Sequence, residues 1–195
     1  MGEKTPRKDA DTYSMEGVRK TVLTEQDIQC IIGHGMGLQN IVIPNVRMSV
    51  PGGWYEADLL YINKNNFVYE IEIKVDYHDF LKDFYKRIYH ASPVVRGLYY
   101  AFPRKLYERY KEDICQRINE VHPKPGIIIC EELTHTFINR CVANKTVKAI
   151  SGKEKYDLMR LGCMKWWSRE IRVIHRMERH KEGKNVGFYT NAQKM

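Results

Sequence analysis

Three ionisable residues stand at a spacing that suits a divalent cation. Asp58 lies in one predicted strand, and Glu72 and Lys74 lie two residues apart on the same face of the next strand. In the register that places Asp58 opposite Glu72, the two carboxylates repel at a cost of up to about 1 kcal/mol. A shared cation such as Mg²⁺ removes that cost, because its ligands are carboxylates and water. An ammonium at Lys74 can also orient a water and offset negative charge on a phosphate.

The residues that carry this pattern belong to a predicted β-hairpin. Residues 55–62 and 67–75 are rich in aromatic and β-branched side chains, and the turn-forming sequence Asn-Lys-Asn-Asn separates them. In the second strand, apolar side chains alternate with Glu70, Glu72 and Lys74. The alternation therefore gathers three ionisable side chains on one face of the hairpin.

Hydrophobic periodicity predicts further helices and strands around the hairpin. One helix begins near Thr24 and ends at Gly33, Gly35 and Gly37, and three more span residues 79–90, 104–121 and 154–177. The further strands are residues 41–50, 97–102, 126–130 and, at an edge, 147–150. The order α-β-β-β-α-β with helices on both sides predicts a mixed α/β sheet.

Composition excludes several classes of protein. A chain of 195 residues that is 43% hydrophobic and 29% charged suits one globular domain, and excludes collagen-like, coiled-coil and wholly disordered chains. No apolar run is long enough to span a membrane, and residues 1–11 lack the apolar region of a signal peptide. The five cysteines are widely spaced with no C-x-x-C pair. We therefore expect a cytoplasmic protein, in the host cytoplasm if a phage encodes it.

The positive charge is concentrated at one end of the chain. The net charge is +8, and the last 56 residues hold 14 Lys and Arg against 5 Asp and Glu. The first 139 residues hold 18 basic and 19 acidic residues. A basic region of this kind suits a polyanion, of which nucleic acid is the commonest in a cytoplasm. The alternative is the solvated surface of a basic protein.

The same patterns predict the domain organisation. Residues 1–13 are charged and polar, which predicts a disordered tail. We expect one domain over residues 14–150, a basic helix over residues 151–180 that packs on it or extends it, and a second tail over residues 181–195.

The hairpin motif resembles a known family. Asp58, thirteen intervening residues and Glu72-Ile73-Lys74 resemble the active-site pattern of the PD-(D/E)XK nuclease superfamily, which has the restriction-endonuclease-like fold. The predicted element order matches that fold, and the E-A-D-L-L, E-I-E-I-K and D-F-L-K-D-F segments look like small phage-type and bacterial members. Ala57 stands where the family name has proline.

This resemblance implies metal-dependent hydrolysis of phosphodiester bonds in DNA. Asp58, Glu72 and the main-chain carbonyl of Ile73 would hold Mg²⁺, with Mn²⁺ as a substitute, and Lys74 would position or activate the attacking water. Members of the family often add an acidic residue from the first helix, and Glu25 is the candidate, with an ordinary acid in the first turn of a helix as the alternative. Glu70 and Glu56 share the face of Glu72 under the predicted alternation and are candidate ligands as well, with a solvated strand residue as the alternative for each.

The expected partner is nucleic acid, with DNA favoured over RNA, while a homo-oligomer is left open and no membrane partner is expected. The candidate nucleic-acid contacts are basic residues in two predicted helices. They are Lys82, Lys86, Lys165, Arg169 and Arg172. Solvated helix cations are the alternative for these residues. The alternative for the whole chain is a non-catalytic nucleic-acid-binding module, or a structural or assembly protein, on the same fold.

Overall fold

The fold is built around a six-stranded mixed sheet in which neighbouring strands follow the chain order. The structure is a computed structural model that describes residues 22–85, 90 and 92–181, without the side chains of residues 170, 174 and 176–181. The strands are β1 (Ile41–Val50), β2 (Gly53–Ile62), β3 (Val68–Ile73), β4 (Val95–Pro103), β5 (Gly126–Glu131) and β6 (Thr134–Asn139). The β3–β4 and β4–β5 pairs are parallel, and the other pairs are antiparallel.

Four helices complete the described part of the chain. They are α1 (Glu25–Gly37), α2 (Tyr77–Asp83), α3 (Arg104–Glu120) and α4 (Gly152–Lys181). Thr24 caps α1 as predicted, because Asp27 N–H donates to its hydroxyl and Thr24 N–H donates to the Asp27 carboxylate. Among the described helices, none combines the length and apolar character needed to cross a bilayer.

Apolar side chains cover both faces of the sheet. On one face, Ile28, Ile32 and other residues of α1 pack against Ile71 and Ile73 of β3. On the other face, α4 covers β1 and β2, while α2 and α3 cover β4 and β5. The alternation of strand side chains therefore supplies a core to each face, which confirms the predicted mixed α/β sheet.

Three predicted elements differ from the structure. Helix α1 continues through its glycines to Gly37, because a glycine inside a helix lowers stability without ending it. Residues 147–150 do not form a strand, although Val147 and Ile150 are buried, and the outer strand is instead β6 at residues 134–139. Helix α2 starts at Tyr77 because Asp76 caps it; its predicted continuation at residues 86–89 lies outside the described residues, as do the predicted tails apart from Lys181.

Candidate metal centre

Asp58 lies where the side-chain alternation of β2 breaks. Tyr55 and Ala57 face α4, but so do Leu60 and Ile62, so the strand changes its facing pattern around Asp58. The pairing with β3 runs from Ile62 opposite Val68 to Leu59 opposite Ile71, which is the register assumed in the sequence analysis, and Asp58 and Glu72 are the next residues beyond the last pair. The Asp58 carboxylate is turned toward β3, where its Oδ2 accepts the main-chain N–H of Ile73 at 2.7 Å.

The break in β2 is matched in β1 and supported by α1. Asn45 has a positive φ of 52°, a conformation that asparagine tolerates better than most residues. The Gln29 side-chain amide of α1 donates to the Asn45 side chain at 3.2 Å and to the Asp58 main-chain carbonyl at 3.2 Å. It also donates to Glu25 at 3.3 Å, so the first turn of α1 lies beside Asp58.

Lys74 connects Glu72 to the helix that follows it. Its Nζ lies 2.8 Å from Glu72 Oε1, 2.9 Å from Asp83 Oδ2 and 3.1 Å from Asp79 Oδ2. Lys74, Glu72 and Asp83 are buried, whereas the Asp79 side chain is 49% exposed. The ammonium donates hydrogen bonds to Glu72 and Asp79, and Asp83 is a third carboxylate at ion-pair distance.

Glu70 joins the same face through a second cation. Its carboxylate accepts the Tyr55 hydroxyl at 2.6 Å and contacts His90 Nδ1 at 2.6 Å. His90 Nε2 lies 3.8 Å from Asp83 Oδ2, so the imidazole lies between two acids. The ionisable groups of Glu70, Glu72, Lys74, Asp83 and His90 therefore form one connected buried network.

The surroundings shift the pKa values of Asp58, Glu72, Lys74 and His90 in directions set by burial and charge. Burial and the charge of Glu72 raise the pKa of Asp58 to about 8. Burial also raises the pKa of Glu72, against the opposing effect of Lys74. For Lys74, burial acts to lower the pKa, but the charge and hydrogen bonds of Glu72 and Asp83 outweigh it and raise the pKa. For His90, burial is likewise outweighed by hydrogen bonds to Asp83 and Glu70, which raise the pKa to about 9.

The donor set fits a divalent cation near Asp58 and Glu72. Glu72 Oε2 is buried and has no hydrogen-bond partner among the described residues. An unsatisfied buried carboxylate oxygen is costly, and a cation would satisfy it. Acids also outnumber cations in this part of the described chain, since Lys74 and His90 face a larger set of carboxylates. These carboxylates are Asp58, Glu70, Glu72, Asp79 and Asp83.

A second arrangement of ligands includes His90. Glu70, Glu72 and His90 each offer a ligand atom within 4.8 Å of one another. The imidazole already bridges two acids, and its raised pKa keeps it protonated at neutral pH. A metal ligand must be neutral imidazole, so a cation here would first have to displace a proton. A cation between Asp58 and Glu72 would likewise displace the proton that the raised pKa of Asp58, about 8, retains at neutral pH, but it would leave the ion pair of His90 with Glu70 intact. The Asp58–Glu72 arrangement is therefore the better fit.

The structure brings together most of the predicted site residues. Asp58 lies on β2, Glu70, Glu72 and Ile73 lie on β3, and Lys74 directly follows β3; Glu25 lies next to Gln29 beside them.

Glu56 does not join this group. The alternation that would place it beside Glu70 fails, because the facing pattern of β2 changes around Asp58 and Tyr55 takes that position instead. Glu56 is exposed, and its Oε1 lies 3.5 Å from the Asn45 amide nitrogen.

The predicted nucleic-acid contacts lie on two helices. Lys82 is exposed on α2, Lys86 lies outside the described residues, and Arg169 and Arg172 lie on α4 with Lys165, which is half-buried.

The sequence analysis missed several members of the site. Asp79 and Asp83 follow Lys74 in the chain and are four residues apart from each other. That spacing was a usable signal, because it places two acids on one helix face close to the lysine. His90 and Gln29 carried no such signal, since their contacts depend on how the elements meet in space.

Comparison with known proteins yields little. No protein-family model matches the sequence, and no curated protein matches it. Among solved structures, the chain is similar to the SPO1766 protein of unknown function from Silicibacter pomeroyi, at 12% identity over 84% of this chain and 94% of that chain, with a TM-score of 0.46. The function of the chain therefore has to be inferred from its own residues.

Proposed function

We propose that this protein is a divalent-cation-dependent nuclease that hydrolyses phosphodiester bonds of DNA. The observation that carries the proposal is the placement of Asp58 next to Glu72 and Ile73 at the end of the β2–β3 pairing, with Lys74 bonded to Glu72 and with Glu72 Oε2 left unsatisfied. A fold stabilised only by its core gains nothing from two opposed, partly desolvated carboxylates. A site that must hold a cation beside a phosphate needs them.

Asp58 and Glu72, with the main-chain carbonyl of Ile73, would hold Mg²⁺ or Mn²⁺. The cation would supply a Lewis acid for the phosphate and lower the pKa of a bound water. The protein holds its two acids in place without the cation, because Asp58 is fixed by Ile73 N–H and Glu72 is fixed by Lys74. Such preorganisation reduces the reorganisation that binding and reaction require.

Lys74 would act through its positive charge. Its pKa is raised, so it keeps its proton and cannot serve as a general base near neutral pH. Two of its three partners, Glu72 and Asp83, are buried, whereas Asp79 is half-exposed. A phosphate oxygen or water that replaced Asp79 would gain a hydrogen bond from Nζ while the two buried pairs stayed intact. Asp79 would then be a positioning residue that occupies Lys74 until the substrate arrives.

The order of the elements supports a restriction-endonuclease-like arrangement. The described chain runs α1, β1, β2, β3, α2, β4, which is the order expected for that fold. The two acids lie on the second and third strands of this series, as the resemblance implies.

One observation favours a second function, a nucleic-acid-binding module without cleavage. Lys74 is already paired with three carboxylates, an arrangement that also stabilises the fold with no reaction. In that case the network would be a structural ion cluster, and the basic residues of α4 would provide the affinity.

A cleavage assay separates the two functions. Plasmid, linear duplex and single-stranded DNA are incubated with the protein in Mg²⁺, in Mn²⁺ and in EDTA, with Glu72→Gln as the inactive variant and Glu56→Gln as the matched control. The nuclease proposal predicts cleavage by wild type and Glu56→Gln with either metal, and none with EDTA or with Glu72→Gln. Binding of DNA with no cleavage of any substrate in either metal would support the binding module instead.

A further inference from the structure

The Asp58 side chain does not point where a regular strand would direct it. In a regular strand the side chains project above and below the sheet, while the main-chain N–H and C=O groups lie within it. The Asp58 carboxylate nevertheless accepts the main-chain N–H of Ile73 in the neighbouring strand. The side chain of Asp58 therefore extends along the plane of the sheet toward β3, and this direction requires a local change in the path of β2.

The change affects β1 and β2 at the same level, next to Asn45. The register between the two strands is identical before and after this level, so neither strand gains a residue. In β1, Ile43 and Val46 both pack on the α4 side of the sheet although they are three residues apart, and Ala57 and Leu60 do the same in β2. Residues three apart in a regular strand face opposite sides. The two strands therefore turn together at this level.

Asn45 has the backbone conformation that such a turn needs. Its φ is 52°, and among the described non-glycine residues it alone combines a positive φ with a place inside a strand, since Asn66, His90 and Glu132 lie between elements. Most residues adopt this left-handed conformation only under strain, and asparagine tolerates it better than most. Strained backbone that its surroundings hold in place is frequently found at functional sites. Asn45 therefore marks the point at which the path of the two strands is set.

The Gln29 amide holds both strands at this point. Its nitrogen lies 3.2 Å from the Asn45 side-chain oxygen in β1 and 3.2 Å from the Asp58 main-chain oxygen in β2. It also lies 3.3 Å from a carboxylate oxygen of Glu25, so three acceptors share its two hydrogens. Gln29 belongs to α1, which packs on the core of the sheet through Ile28 and other apolar residues. The amide therefore ties the turn in β1 and β2 to a helix that the core itself holds in place.

We infer that Asn45 and Gln29 are positioning residues that turn the Asp58 carboxylate toward β3 and hold it there before a cation binds. The left-handed backbone of Asn45 provides the turn, and the Gln29 amide keeps it. The inference rests on the proposed function, in which Asp58 and Glu72 share the cation. Asn45 and Gln29 themselves contact neither the cation nor the substrate. Losing a residue that orients a metal ligand typically weakens metal binding by about 10- to 100-fold.

Two measurements on the full chain test the inference. Calorimetric titration gives the affinity for Mn²⁺. Hydrogen exchange of the Ile73 amide, followed by NMR in EDTA, reports whether its N–H is still bonded to Asp58, because a bonded amide exchanges slowly. The amides of β5, which lies two strands away from β3 in the same sheet, are the reference for opening of the whole fold.

Variants of Asn45 separate the backbone conformation from the side chain. Valine disfavours a positive φ and favours a regular strand, whereas glycine adopts a positive φ freely. We expect Asn45→Val to bind Mn²⁺ at least about tenfold more weakly than wild type, and to exchange the Ile73 amide at least about tenfold faster. Asn45→Gly should recover most of both properties, because glycine restores the backbone conformation without the side chain.

A variant of Gln29 tests the amide. Gln29→Met keeps the length of the side chain and removes its donors, so it should show the same two losses as Asn45→Val. Gln39→Met is the matched control, because Gln39 is exposed just beyond the end of α1. The control should match wild type in Mn²⁺ affinity and in Ile73 exchange.

Wild-type Mn²⁺ affinity and wild-type Ile73 exchange in Gln29→Met would overturn the inference, and this variant decides the matter if Asn45→Val does not fold. Equal losses in Asn45→Gly and Asn45→Val would overturn it too, as would equal acceleration of exchange at Ile73 and in β5, which would indicate only a loss of stability. The exchange measurement needs no cation, so it separates this inference from the proposed function. Wild type that binds no Mn²⁺ would refute the nuclease, whereas faster Ile73 exchange in the variants would still support the positioning of Asp58.

Discussion

The Asp58 carboxylate accepts the main-chain N–H of Ile73 at 2.7 Å, so one candidate ligand is anchored to the backbone beside the other, Glu72. The side chain of Asp58 takes a donor that a strand partner would otherwise use. Because the donor belongs to the backbone, the position of the Asp58 carboxylate relative to β3 does not depend on a second side chain. The main chain of β3 thus positions this ligand.

Replacing Lys74 with alanine should destabilise the protein by about 3–5 kcal/mol. The substitution leaves Glu72 and Asp83 buried without their shared cation. Urea unfolding in EDTA measures the loss, and Lys82→Ala, which removes an exposed lysine on the next helix, should cost less than about 0.5 kcal/mol.

Equal unfolding midpoints for Lys74→Ala and Lys82→Ala in EDTA would show that the buried ion pairs contribute nothing. Mg²⁺ should restore part of the stability of Lys74→Ala in the same unfolding measurement, because a cation at Glu72 supplies the missing positive charge and binds only the folded state.

The contribution of His90 to stability should disappear as pH rises. The pKa of His90 is raised in the folded protein to about 9, above its usual value of about 6.5. The stabilisation is therefore fully present below about pH 6.5 and is lost as pH rises through 9. We expect His90→Gln to be less stable than wild type by up to about 3 kcal/mol near pH 6, and by much less near pH 10. Urea unfolding at both pH values checks this, and a pH-independent difference would contradict it.

Two glycines in α1 should respond differently to alanine. A Cβ at Gly33 meets no neighbouring atom, so Gly33→Ala should stabilise the protein by up to about 1 kcal/mol through its helix propensity. A Cβ at Gly35 would overlap the His135 imidazole of β6, so Gly35→Ala should lose this gain. Thermal unfolding compares the two, and an equal gain at both positions would mean that α1 and β6 are not in close contact.

The register assumed for the hairpin is confirmed over the paired residues, because Ile62 lies opposite Val68 and Leu59 lies opposite Ile71. Glu56 was placed wrongly because the side-chain alternation was extended through β2, where Asn45 and Asp58 change the facing pattern. A break of this kind follows from pairing with β1 and from the contact with Gln29, which no periodicity within β2 contains.

The charged partners of the site were predictable only in part. Asp79 and Asp83 lie close to Lys74 in the chain, so helical spacing alone relates them. Tyr55 and His90 meet at Glu70 from positions 15 and 20 residues away along the chain. Contacts at such separations depend on the packing of the elements, and a single sequence does not reveal them.

The salt dependence of DNA binding should report the basic stripe of α4. Deleting the helix is a poor test, because Leu158 and Leu161 belong to the core. Substituting serine for Lys165, Arg169 and Arg172 together should reduce the slope of log affinity against log salt by about 2, as fewer counterions are displaced.

The matched control for this triple variant substitutes three exposed lysines near the start of α4, Lys145, Lys148 and Lys153. It removes the same charge but should leave most of the slope in place. Anisotropy titrations at several salt concentrations measure both slopes. Equal slopes for the two triple variants would show that only net charge matters.

The central claim, that Asp58 and Glu72 hold a divalent cation for phosphodiester hydrolysis, is tested most directly by calorimetric titration of Mn²⁺ into wild type, Asp58→Asn and Glu56→Gln. The same three preparations are assayed for DNA cleavage. Asparagine keeps an oxygen that can accept Ile73 N–H but removes the negative charge, so the fold should persist. We predict that Asp58→Asn loses Mn²⁺ binding and cleavage together, while Glu56→Gln retains both. Wild-type Mn²⁺ affinity and cleavage in Asp58→Asn would contradict the account.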